Sequence, residues 1–146
     1  MTDLSGKVAL ITGAGQGVGQ GIAFALADAG ASVVLAGRTL EKVQKSADEI
    51  IRRGGKAMAL ACNVKAADDL AQAVDATVKE FGGLDILVNN AQEVPLGTLD
   101  KVTDAAFTAG FESGPLATMR LMKLAHPHMQ ARGGGTIFNF ASSAGI

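Results

Sequence analysis

The sequence predicts an α/β protein built on a doubly wound parallel sheet. Three observations carry that expectation. Short, nearly continuous apolar runs alternate with longer segments of helical period, the runs lack the in-out alternation of a sheet with one wet face, and glycines punctuate the junctions. Strands separated by helices of 10–15 residues need crossover connections, which place helices on both faces of a parallel sheet.

The elements follow in order. Lys7–Thr12, bounded by Gly6 and Gly13, is a first strand; Gly17–Ala29, with Ile22, Ala25, Leu26 and Ala29 at helical spacing and Gly30 as the stop, is a helix. The unit repeats with a strand at Ser32–Ala36, a helix from about Leu40 to Arg53 ended by Gly54-Gly55, and a third strand at Ala57–Ala61. A helix from about Ala67 to Phe81 carries Leu70, Val74, Val78 and Phe81 on one stripe, before a fourth strand at Asp85–Asn89. A long helical region near Thr103–Gln130 precedes a fifth strand at Thr136–Phe140. No linker or low-complexity tract divides the 146 residues, so one domain is expected.

Composition narrows the function classes. Thirteen Lys+Arg against 14 Asp+Glu, a net charge of −1 and no basic run argue against nucleic acid or an anionic membrane as partner. No apolar stretch approaches the roughly 20 residues of a membrane helix, and no signal peptide is visible. The lone Cys62 cannot form an internal disulfide, which fits a reducing compartment, so the cytoplasm is expected. Gly supplies 19 residues, and Tyr is absent.

The glycines concentrate in Thr12-Gly13-Ala14-Gly15-Gln16-Gly17-Val18-Gly19, between the first strand and the first helix. There, backbone N–H groups and the helix dipole can hold a pyrophosphate, provided no Cβ keeps the phosphate away. The fingerprint G-x-G-x-x-G fits in no register, its third glycine falling on Val18, Gln20, Ile22 or Phe24; T-G-x-x-x-G-x-G fits. Such loops also serve as plain strand-to-helix connectors.

This loop, with Asn63-Val64 after strand three, Asn89-Asn90-Ala91 after strand four and Asn139-Phe140-Ala141-Ser142-Ser143-Ala144-Gly145 through strand five, resembles the short-chain dehydrogenase/reductase family in one register from Gly6 to Ile146. The resemblance implies a Rossmann fold of strand order 3-2-1-4-5, truncated after the fifth strand, and hydride transfer between a nicotinamide cofactor and a carbonyl or alcohol carbon. It implies that Gly13, Gln16, Gly17, Val18 and Gly19 surround the adenosine and pyrophosphate end. Asn63 would bond the adenine amino group, although Asn is also common where strands turn into loops. The N–H of Val64 would meet a ring nitrogen, and Asn90 and Ala91 would line the path to the nicotinamide ribose. Asn89 reads as a structural tie between neighbouring strands.

An acid at the end of strand two would select NAD; here Leu35-Ala36-Gly37-Arg38 offers glycine and then a guanidinium suited to a 2′-phosphate. NADP is therefore expected, with NAD the alternative, because Gln16 stands where NADP users often carry a second base and Arg38 could instead stack on adenine or be solvated. Counting from Asn139, the resemblance assigns the substrate-orienting Ser to Ser142, with Ser143 as fallback, and places the Tyr and Lys of proton transfer beyond Ile146. His126, His128 and Cys62 read as structural.

Two departures stand out: Gln92 where the family usually has Gly, and Gly114-Pro115 where a relay Asn is usual. Pro115 is expected to leave the carbonyl of Phe111 without its helical partner. A small-molecule substrate and a homodimer or homotetramer are implied for a longer enzyme, of which these residues are expected to be part. A non-catalytic dinucleotide-binding module is the alternative. Strand five would form an apolar sheet edge at Ile137, Phe138 and Phe140.

Overall fold

The structure, a computed structural model, describes residues 2–142. Five parallel strands, β1 (Val8–Thr12), β2 (Ser32–Gly37), β3 (Lys56–Ala61), β4 (Ile86–Asn89) and β5 (Thr136–Asn139), lie in the order β3-β2-β1-β4-β5. Helices α1 (Gly17–Asp28), α2 (Leu40–Arg52), α3 (Ala67–Phe81), α4 (Asp104–Phe111) and α5 (Ala117–Ala131) connect them. All four strand pairings are parallel; β1 sets Ala9 against Val33 on one side and Ile86 on the other.

The continuous apolar runs have the expected cause. Every residue of β1 is buried, and successive side chains enter opposite layers. Leu10, with Val34 and Leu87, packs against Leu70 and Val74 of α3 and Leu121 and Ala125 of α5. Ala9 and Ile11, with Val33, Leu35 and Val88, pack against Ala23 of α1 and Val43, Ala47 and Ile50 of α2. A one-residue slip of β1 would exchange the two layers, so both cores together fix the register.

The long helical region is not one α-helix. Between α4 and α5, residues Glu112–Leu116 wind as a π-helical turn in which the N–H of Ala117 donates to the carbonyl of Glu112, five residues back. The wider winding carries the chain past Pro115 without the break expected of a proline that removes a donor. Helix α5 also continues through Pro127. Among the described residues β5 pairs with β4 alone, at the sheet edge, and Phe138 and Phe140 are about half exposed. The chain leaves β5 at Asn139, one residue short of the predicted Phe140.

The strand order reverses between β1 and β4, and at that switch point the connections diverge to opposite faces and open a crevice beyond the carboxyl ends of the strands.

Candidate functional site

The loop after β1 and the loop after β4 meet in that crevice. Thr12, buried at the end of β1, ties them: its hydroxyl oxygen accepts the N–H groups of Asn90 (3.1 Å) and Ala91 (3.0 Å) and donates to the carbonyl of Val88. Asn90 completes the link, its Nδ2 donating to the carbonyls of Thr12 (3.0 Å) and Gly13 (3.2 Å). Thr12→Val keeps the shape but removes the acceptor of two N–H groups. It is expected to cost about 1–3 kcal/mol in urea denaturation, because a buried donor left unpaired is more costly than a made bond is favourable.

Glycine is required here for close approach. A Cβ on Gly13 would lie 2.8 Å from Asn90 Nδ2 and 3.0 Å from Ala91 Cα, at a φ of +65°. A Cβ on Gly19 would overlap the carbonyl oxygen of Gly13. At Gly17 the situation is opposite: a Cβ there would meet no protein atom within 4 Å. Gly17 faces open space in the wall of a cleft of about 350 Å³, and α1 begins there with no side chain capping its first N–H groups. An uncapped helix start beside a bare backbone suits a pyrophosphate, so these residues fit the dinucleotide that the resemblance implies.

The cleft is lined by Gly13, Gln16, Gly17, Arg38, Asn63, Val64, Asn90 and Ala91 among others, which brings eight of the expected binding residues together. Val18 points to solvent and Gly19 is buried behind the loop; neither lines the cleft. Asn63 makes the strand-to-loop turn: its Oδ1 accepts the N–H of Lys65 (3.2 Å), while its own N–H donates to Asp69 (2.8 Å). The amide oxygen retains a second lone pair. Cys62, buried beside Asn63 in the cleft lining, has its thiol pushed up to about 11 by burial, aided by Asp69, so it stays protonated. Asn89 Nδ2 donates to Asn139 Oδ1 (2.8 Å), tying β4 to β5. Ser142 follows β5 and is outside the cleft wall; Ser143 lies outside the described residues.

The two departures prove to be neighbours. A Cβ on Gly114 would lie 2.9 Å from Nε2 of Gln92, so the carboxamide of Gln92 fills the room that the missing side chain leaves beside the π turn. The larger residue at 92 and the smaller one at 114 fit each other.

Three charged residues at the site have no local signature. Lys42, in the first turn of α2, donates from Nζ to Gln16 Oε1 (2.8 Å), bringing a second cation to the position where the glycine loop itself carries none. Its spacing of four from Arg38, across a helix start, is the one signal that could have found it. Glu93 Oε1 stands 2.9 Å from Arg38 Nη1 and 3.0 Å from Lys65 Nζ, a bridge between three separate loops. The N–H of Glu93 is held by Ser113 Oγ of the π turn at 2.8 Å.

Comparison with known proteins agrees with this architecture. The family profile described as short chain dehydrogenase matches residues 7–146. The chain is 40% identical to a cyclohexanol dehydrogenase of Acinetobacter over 96% of its own length and 56% of that protein's. It is 37% identical to the 7α-hydroxysteroid dehydrogenase of Escherichia coli K12, over 97% and 55% of the two chains. Among solved structures, a short-chain type dehydrogenase/reductase from Mycobacterium marinum superposes with a TM-score of 0.92 at 38% identity, covering 98% of this chain and 58% of its own. A 7α-hydroxysteroid dehydrogenase solved with NADH and 7-oxo glycochenodeoxycholic acid superposes at 0.89 with 36% identity, covering 97% of this chain and 55% of its own. The chain thus spans about half the length of the relatives it matches. A family-profile match over residues 7–146, with relatives at these identities and a superposition at a TM-score of 0.92, shows that the chain belongs to the short-chain dehydrogenase family.

Proposed function

We propose that the protein is a nicotinamide-dependent oxidoreductase that interconverts a small-molecule alcohol and its carbonyl, with NADP(H) as the preferred cofactor. The supporting observation is the cleft at the β1/β4 switch point. Its floor is bare glycine backbone and an uncapped helix start, and its far end carries Arg38 after a strand that ends in Gly37 rather than an acid. Gly13–Gly19 would hold the pyrophosphate, Val18 and Gly19 through backbone N–H groups of the first turn of α1. The second lone pair of Asn63 Oδ1 and the N–H of Val64 would meet adenine, and Asn90 and Ala91 the nicotinamide ribose. Lys42 on Gln16 supplies the second cation that favours a 2′-phosphate.

The nicotinamide, when bound, exchanges the hydride. Among these residues Ser142 would orient the substrate oxygen, and proton donation falls to groups outside them. A homodimer or homotetramer, in the cytoplasm, is the assembly proposed for the full-length protein. No helix among the described residues is long and apolar enough to cross a membrane.

Arg38→Ala in the full-length protein tests the cofactor assignment. A charge-assisted hydrogen bond at so exposed a side chain is worth about tenfold in affinity. Calorimetry should show NADPH binding weakened by about that factor and NADH binding nearly unchanged. Equal losses for both cofactors would mean that Arg38 only packs on adenine.

A further inference from the structure

We infer that Glu93 is a specificity-determining residue, its carboxylate competing with the cofactor 2′-phosphate for Arg38 and Lys65 and so limiting the preference for NADP(H). The inference rests on the NADP(H) assignment above. A single oxygen of Glu93 engages both cations, at 2.9 and 3.0 Å, and both Arg38 and Glu93 line the cleft. An acid at the end of β2 would stand where Gly37 is; here a carboxylate instead reaches the guanidinium of Arg38 from the loop after β4, 55 residues away in sequence. Arg38 and Lys42 line this end of the cleft and Lys65 reaches it through Glu93, so a carboxylate already holds two of the three cations. Lys42, on the neutral oxygen of Gln16, is the third.

A dianionic phosphate arriving at Arg38 must displace the carboxylate or bear its repulsion. NADH, which has only hydroxyls at that position, faces no such competition. Displacement requires a side-chain rotation and no loop movement, because the backbone of Glu93 is anchored by Ser113 Oγ. The side chain is about one-third exposed, so water can receive the freed carboxylate.

The test is the affinity of the full-length Glu93→Gln protein for NADPH and NADH, by calorimetry at low ionic strength, with Glu93→Asp and Arg38→Ala in parallel. Adenosine 2′,5′-bisphosphate and 5′-AMP serve as probes of this end alone. Glu93→Gln should tighten NADPH and the bisphosphate by about three- to tenfold while changing NADH and 5′-AMP less than about twofold. Glu93→Asp, one methylene too short to hold both cations, should give a smaller gain. High salt should reduce the gain, since the groups are accessible to ions. An unchanged or lowered ratio of NADPH to NADH affinity in Glu93→Gln, with Arg38→Ala still abolishing the preference, would overturn this inference and leave the NADP(H) assignment standing. If Arg38→Ala leaves the ratio unchanged, that assignment fails and this inference with it.

Discussion

Replacing Gly19 by Ala is expected to destabilise the protein by about 3 kcal/mol and to abolish dinucleotide binding. The added Cβ overlaps the carbonyl oxygen of Gly13 and crowds Asn90 Nδ2, the group that holds the glycine loop to the loop after β4. The Gly13 carbonyl is backbone and the Asn90 amide is held by its two hydrogen bonds, so the loop itself must move. Overpacking of this kind costs about 1–3 kcal/mol, and the two Asn90 bonds add about 1 kcal/mol each when lost. Urea denaturation and an NADPH titration of the full-length protein measure the two effects separately. A variant of unchanged stability that still bound the dinucleotide would show that the two loops need not touch.

The second large effect lies at the opposite end of the sheet. Asp85, nearly buried just before β4, accepts the N–H of Val8 (2.9 Å) and pairs with Arg132 after α5 through Nε (3.2 Å) and Nη2 (2.9 Å). Arg132 in turn donates to the carbonyl of Gly6 (2.8 Å), so one ion pair binds the starts of β1 and β4 to the end of α5. Asp85→Ala leaves the guanidinium of Arg132 without its counter-ion and the N–H of Val8 without its acceptor. It is expected to cost about 3 kcal/mol, at the lower end for a broken buried pair because Arg132 is one-third exposed.

The same residue gives an acid dependence of definite sign. Burial alone would raise the Asp85 carboxyl, but the hydrogen bonds from Arg132 and Val8 and the charges of Arg132 and Lys7 outweigh it and hold the group below its ordinary 3.8. A group lowered in the folded state contributes stability that is present above its unfolded pKa and is lost as pH falls through the folded one. The protein should therefore lose stability below about pH 4, and Asp85→Asn should flatten that limb. An equally steep acid limb in Asp85→Asn would place the titrating group elsewhere.

The two layers of the core were legible because they are written locally. The near-continuous run Lys7–Thr12 states that both faces of β1 are covered, and the stripe Leu70, Val74, Val78 states which face of α3 covers one of them. The glycine loop was legible for a similar reason, since backbone approach leaves glycine as its mark. What escaped depends on distant meetings. Nothing near Glu93 announces Arg38 or Lys65, and nothing near Asp85 announces Arg132, 47 residues on. Pro115 was visible, but a proline that breaks a helix and one absorbed by a π turn have the same one-letter signature; the difference lies in Gly114 and the carboxamide of Gln92 beside it.

The backbone amides of the glycine loop report most directly on whether the cleft holds a dinucleotide. In an NMR titration of the full-length protein with NADPH, the amide signals of Gly17, Val18 and Gly19 should shift together with those of Val64 and Ala91, saturating with a single dissociation constant. Saturable binding that leaves the Gly17–Gly19 amides unmoved, or no binding by a folded protein, would contradict a pyrophosphate at the start of α1.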